Sequence, residues 1–144
     1  MTRSNFLGIL SLVSIVFLLA ACGSLGPPQE CPVTGTANPE AFDQSFTRMV
    51  LVKQGQPMPD TGGDSDLTFT SDDRLELVVV SKGGTQALVC VGPRKGGVKI
   101  PYNKTVPITE GVNRVELGSF VVNPYVVRVS VNNVLVKNVT FETK

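Results

Sequence analysis

The side chains that could carry chemistry are few and unevenly spread. The chain has 144 residues, with 13 Lys and Arg, 12 Asp and Glu, three Cys, and neither His nor Trp. Without His, the commonest general base and metal ligand is missing, and the usual nucleophilic triads go with it. Three Cys without His also exclude the ordinary zinc-finger patterns. A formal net charge of +1 argues against a dedicated nucleic-acid binder. Carboxylates, thiols and a few cations remain. The stretch Asp60-Thr61-Gly62-Gly63-Asp64-Ser65-Asp66 gathers three carboxylates in one turn-rich segment. Asp60, Asp64 and Asp66 offer the hard oxygens that Ca²⁺ takes, and Gly62-Gly63 let carbonyls turn inward, although the spacing is not that of an EF-hand loop. A carboxylate- or metal-dependent hydrolase would have to be centred here. The plainer reading is a solvated loop.

Asp60-Thr61-Gly62 resembles the catalytic triplet of aspartic proteases, in which two carboxylates share a proton. Here the triplet follows Pro57-Met58-Pro59 instead of an apolar strand, and the chain holds no second copy. A basic loop, Gly92-Pro93-Arg94-Lys95-Gly96-Gly97-Val98-Lys99, could meet phosphate or an acidic polymer. Its glycines do not have phosphate-loop spacing, and it reads as a charged tip that keeps sheet edges soluble. Arg128 sits in a valine-rich run and is expected on an outer face with Val126 and Ser130. The alternative is a cross-strand pair with Glu76 or Glu116, structural and of modest strength. Tyr102 and Tyr125 could form a contact patch. At least one of them is expected to be a corner tyrosine, its ring packed and its hydroxyl tied to backbone.

The N-terminus reads as an address. Arg3 precedes an apolar run from Phe6 to Leu19, fourteen residues without a charge, which is the plan of a secretory signal peptide. Leu19-Ala20-Ala21-Cys22 follows. A retained membrane span from Phe6 to Cys22 would be at the short limit and is diluted by Gly8, Ser11 and Ser14. An incidental Cys after an ordinary cleavage site is the other competing reading. The uncharged, turn-rich stretch from Gly23 to Pro28 suits a tether that lets a domain stand off a bilayer. Leu19 to Cys22 resembles the lipobox of bacterial lipoproteins. That resemblance implies a cleaved signal peptide over residues 1–21, a diacylglycerol on the Cys22 thiol and an acyl chain on its new amine. No other cofactor is expected. Each buried methylene contributes about 0.8 kcal/mol, so two or three chains would hold the protein at a bilayer almost irreversibly. Gly23 stands where Asp often signals inner-membrane retention, so the resemblance implies the outer membrane if the organism has one. Otherwise it implies the outer face of the cell membrane.

Processing would leave 123 residues with 12 basic and 12 acidic side chains, and so no electrostatic steering toward DNA or anionic lipid. Cys31 and Cys90 would be the remaining thiols. Outside the cytoplasm an even pair suggests a disulfide, and no His is present to activate either as a nucleophile. Residues 22–41, with Pro27, Pro28, Pro32 and Pro39, read as the lipidated Cys and an extended, flexible tether. The folded domain is expected over residues 42–144. Asn103-Lys104-Thr105 and Asn138-Val139-Thr140 match the N-glycosylation pattern, an accident in a bacterial lipoprotein.

Short β runs separated by turns fill the domain, and no stretch has a helical period. Strands are expected over Ser45–Lys53, Leu67–Thr70, Arg74–Ser81 and Thr85–Val91. Lys82-Gly83-Gly84 is a tight hairpin signal. Val98–Tyr102 and Val106–Ile108 are edge-like pieces because of Pro101 and Pro107. Val112–Leu117 leads through Gly118 into Ser119–Val122, and Asn123-Pro124 reads as a turn. Tyr125, Val127, Val129 and Val131 alternate with Val126, Arg128 and Ser130. Asn132-Asn133 suits a type I′ turn, since Asn tolerates positive φ, with a return over Val134–Val136 and Val139–Phe141. Seven or eight strands in about 100 residues fit an all-β, Ig-like antiparallel sandwich; a small barrel is the runner-up. The run from Gly111 to Phe120, followed by Tyr125-Val126-Val127-Arg128-Val129, resembles the late strands of Ig-like or fibronectin-III-like modules, without the buried Trp or Cys spacing of antibody domains. The chain is therefore expected to be a non-enzymatic lipoprotein whose loops or sheet edges meet an envelope protein or polymer. A lipid-carrying module would need a cavity that so small a sandwich rarely has room for.

Overall fold

The computed structural model describes residues 30–60, 67–94 and 99–144. A short helix, α1 (Pro39–Ser45), precedes β1 (Phe46–Lys53), β2 (Leu67–Phe69), β3 (Leu75–Ser81) and β4 (Thr85–Pro93). Then come β5 (Tyr102–Ile108), β6 (Gly111–Gly118), β7 (Asn123–Val131) and β8 (Val134–Thr143). They form two sheets, β1-β3-β6 and β2-β8-β7-β4-β5. In an immunoglobulin-like sandwich β1, β3 and β6 take the places of strands A, B and E, and β4, β7 and β8 those of C, F and G. The all-β sandwich expected from the strand spacing is thus present, with one departure. β2 runs parallel to β8, Leu67 opposite Phe141 and Phe69 opposite Thr143, so the sandwich is not wholly antiparallel.

The inner faces follow the period-2 patterns. Leu75, Leu77 and Val79 of β3 meet Val89 and Val91 of β4, and Val127 and Val129 of β7, in one apolar core. An aromatic group closes one end. Phe141 lies 5.2 Å from Tyr125, 5.4 Å from Phe120 and 6.1 Å from Phe69 between ring centroids. Offset and edge-to-face ring pairs add to what area burial alone contributes.

Several local expectations hold. Asn132 and Asn133 have φ of 50° and 62°, the two left-handed residues of a type I′ turn, and they join β7 to β8. β5 is an edge strand paired only with β4 among the described residues, as Pro107 requires. Others need correcting. Lys82-Gly83-Gly84 does not make a hairpin, because β3 and β4 belong to different sheets. Primed hairpin turns need positive φ, and neither Gly83 nor Gly84 has it. The segment crosses between sheets, held by Lys82 N–H donating to Ser45 O (2.9 Å) and Ser81 Oγ to Gly83 O (2.6 Å). Asn123-Pro124 is not a turn but the start of β7, where a strand tolerates Pro. Ser119–Val122 is not strand.

The helix is also unexpected from the sequence. Asn38 caps it, its Oδ1 accepting the Ala41 N–H at 3.1 Å, and Pro39 takes the first turn. Both choices suit a helix start, but seven residues are too few to display a 3.6-residue period. Its Ala41 and Phe42 pack on the core from the side, and the Phe42 and Phe46 rings lie 5.7 Å apart.

Candidate functional site

Both outer faces of the sandwich are covered by segments that contain residues singled out in the sequence. On the larger sheet the cover is the N-terminal arm. Inward-facing Val89 and Val91 leave Cys90 pointing outward from β4, where it is disulfide-bonded to Cys31, 59 residues away in sequence. From there the arm crosses toward β8. Asn138 Nδ2 donates to Gly35 O at 3.1 Å, and Asn38 N–H to Leu135 O at 2.8 Å. Gly92 makes the approach possible. A Cβ at that position would meet both Arg128 Nη1 and Cys31 Sγ at 3.4 Å.

Arg128 is therefore on the outer face, as its alternation implies, opposite Cys90 on one side and Asn138 on the other. It is not the partner of Glu76 or Glu116. Those carboxylates lie on the outer face of the other sheet, with the core between. Arg114, beside Glu76 in the β3–β6 ladder, takes the role instead.

That second outer face carries a polar network missed in the sequence. Residues 54–60 run across it as a strap. Met58 packs on Val50, Val52 and Val78, Arg48 Nη2 donates to Pro59 O, and Arg114 Nη1 donates to Gln56 O at 3.1 Å and to Glu76 Oε1. Glu76, only 4% exposed, also accepts the Gly55 N–H at 3.1 Å. A buried carboxylate is tolerated only when paired and hydrogen-bonded, and both conditions are met. The available signal was an acid in the middle of Leu75-Glu76-Leu77-Val78-Val79-Val80; its partner came from a strand nearly forty residues on.

Of the acidic cluster, Asp60 is an exposed residue at the end of the strap, while Asp64 and Asp66 lie outside the described residues. Among the described residues no group of three or more His, Cys, Asp or Glu is placed to hold a metal. The basic loop is described at Arg94, whose N–H donates to Pro124 O at 2.9 Å, and at exposed Lys99; Lys95–Val98 lie outside. Cys22 does too. No helix among the described residues is long and apolar enough to cross a membrane.

Tyr125 is the corner tyrosine. Its ring is 1% exposed and its hydroxyl donates to Val121 O at 3.0 Å, four residues upstream, the arrangement expected near the start of strand F. Tyr102 is buried in the same core, with the Lys104 ammonium 5.4 Å from its ring centroid. Burial pushes both phenols up from their ordinary value of 10.0. The folded chain then holds these protons more tightly than the unfolded chain does. Their contribution is complete below about pH 10 and is lost as pH climbs through the raised folded values. Replacing Tyr125 by Phe is expected to cost about 1 kcal/mol at neutral pH, the net value of one hydrogen bond, and to flatten the alkaline fall in stability. Thermal melts of both proteins across the alkaline range check this; an unchanged alkaline limb would contradict it.

Asp73 accepts the Thr70 N–H at 2.8 Å and pairs with Lys53 at 3.0 Å. These contacts, the turn hydrogen bond first, hold its carboxyl below the usual carboxylate range. They fasten the turn between β2 and β3. No protein-family model matches the chain, and no curated protein matches it with significance.

Proposed function

We propose that this chain is a lipid-anchored envelope protein whose Ig-like domain works as a non-enzymatic binding or structural module. The observation that supports it most is the bridged arm. A disulfide joining the arm to β4 suits a protein matured in an oxidising compartment outside the cytoplasm. Upstream of it the sequence holds Leu19-Ala20-Ala21-Cys22 and the turn-rich Gly23–Pro28. Cys31 lies nine positions beyond Cys22, a reach of at most about 30 Å fully extended. The bridge fixes the end of the tether on the larger sheet, so a lipid on Cys22 keeps the domain within one domain length of the bilayer. Loops and edges then meet partners at the membrane surface, where binding on a rigid sandwich commonly resides.

The test is Cys22→Ser in the full chain. The native protein is expected in the membrane fraction, released by detergent and not by salt. The variant is expected as uncleaved precursor or as protein lost from the membrane. A variant that is cleaved and still membrane-bound like the native protein would overturn the reading.

A further inference from the structure

Val121 and Val122, each 67% exposed, are the one adjacent pair of large apolar side chains in water among the described residues. Their loop, between β6 and β7, is not slack. Phe120 before them is buried, its ring 5.3 Å from Tyr125 and 5.4 Å from Phe141. Val121 O accepts the Tyr125 hydroxyl at 3.0 Å and Thr143 Oγ1 at 2.6 Å, and Asn123 after them pairs with Thr143. Single apolar side chains in water are ordinary, but here both flanks are pinned and an adjacent pair is held outward. Cations gather at the same end of the sandwich. Lys53 is matched by Asp73 at 3.0 Å and Lys144 by Glu142 at 2.8 Å. Arg74, Arg94 and Lys99, all exposed, stand there with one further acid among the described residues, Asp72. The opposite end, with α1 and the turns after β3, β5 and β7, carries Glu40, Asp43 and Glu110 against Lys82 and Lys137. A chain balanced in total charge is thus uneven from end to end.

We propose that this end lies on the anionic bilayer that holds the anchor, with Val121 and Val122 entering the headgroup layer and the cations meeting lipid phosphates. This orientation rests on the lipid-anchored reading, and the arm favours it. Cys31 Sγ lies beside Gly92, and from there the arm runs away from this end, past Asn138 to Leu135 near the β7–β8 turn. Arg94 is four residues past Cys90, about 13 Å at the rise of a strand. The nine positions from Cys22 to Cys31 span up to about 30 Å, so a lipid on Cys22 reaches a bilayer under this end with chain to spare. Two valines would hold no free protein at a membrane, but the tether keeps them at high local concentration there. Cations near an anionic leaflet add attraction within a screening length. The contact therefore sets orientation, not affinity, and leaves α1 and the β7–β8 turn facing away from the lipid.

The chain has no Trp, so one introduced indole reports its own position. The full chain, purified from membranes, is reconstituted into vesicles of phosphatidylcholine and phosphatidylglycerol with brominated acyl chains as the quencher. Val122→Trp is expected to be quenched about threefold or more over Val112→Trp, a site 65% exposed near the other end, because only an indole at the headgroup layer meets the bromines. Val121→Trp gives the same comparison if Val122→Trp melts early. Adding Arg74→Glu and Lys99→Glu to Val122→Trp is expected to reduce the quenching by about half. The two readings fail separately. A chain that does not float with the vesicles overturns the anchor and this orientation with it. A chain that floats with both indoles quenched alike, or with quenching untouched by the charge reversal, leaves the anchor standing and overturns the orientation; valines that serve a protein partner would give the first of these.

Discussion

Replacing Cys90 by Ser is expected to lower stability by about 4 kcal/mol, the chain-entropy value for closing a loop of about 60 residues. For a domain of this size that corresponds to a fall in Tm on the order of 15–25 °C. The bond ties the arm to the centre of the larger sheet, and without it two backbone-directed hydrogen bonds, from Asn138 to Gly35 and from Asn38 to Leu135, must hold residues 31–38. Each contributes only about 1 kcal/mol net. The arm is therefore expected to detach well before the sandwich unfolds. Cys31→Ser should cost the same, and the double variant no more than either single one, because all three remove one bond. Melts of the four proteins, with hydrogen exchange at Asn38, check this. A Cys90→Ser protein that melts with the native one would show that the bridge contributes nothing to stability.

The second large effect lies at the closed end of the core. Phe141→Ala is expected to cost 3–5 kcal/mol, the usual range for deleting a buried ring. Phe141 is 1% exposed and touches Phe69, Phe120 and Tyr125. It also stands at the register position where β2 joins β8. Losing it empties the space under a three-residue strand that few other contacts hold, so β2 is expected to come away first. Against a typical total of 5–15 kcal/mol, this is a large share. Val121, 67% exposed on the neighbouring loop, gives the control: Val121→Ala should change stability by less than about 0.5 kcal/mol. Chemical denaturation of the three proteins measures both. Equal midpoints for Phe141→Ala and the native chain would contradict the packing described.

What the sequence disclosed, and what it hid, follows from how far each cause reaches. Asn132-Asn133 was legible because a two-residue turn is decided by the φ of its own residues. The inner faces of β3 and β7 were legible because alternation is local. The paired Cys31 and Cys90 followed from compartment and parity. Sheet membership is not local. Lys82-Gly83-Gly84 has hairpin composition, but whether the next strand returns beside β3 or crosses to the other sheet depends on what β6 and β7 bury. The outer face of β3 is hidden for a similar reason. Val78 and Val80 alternate with core residues, so they look solvent-facing, until Met58 and the strap cover Val78 and bring Arg114 to Glu76. Asn123-Pro124 has turn composition yet begins a strand, where its missing donor is tolerated. Of the three carboxylates in the acidic stretch Asp60–Asp66, only Asp60 is among the described residues, and it ends the strap that covers the small sheet.

The measurement that bears most directly on the lipid anchor is the intact mass of the protein purified from membranes, with its N-terminal peptide sequenced by fragmentation. The anchored reading predicts a chain that begins at Cys22, carries the added mass of a diacylglycerol on the thiol, with or without an acyl group on the amine, and retains the Cys31–Cys90 bridge. A chain that begins at Met1, or one cleaved nearby with an unmodified Cys22, would contradict it.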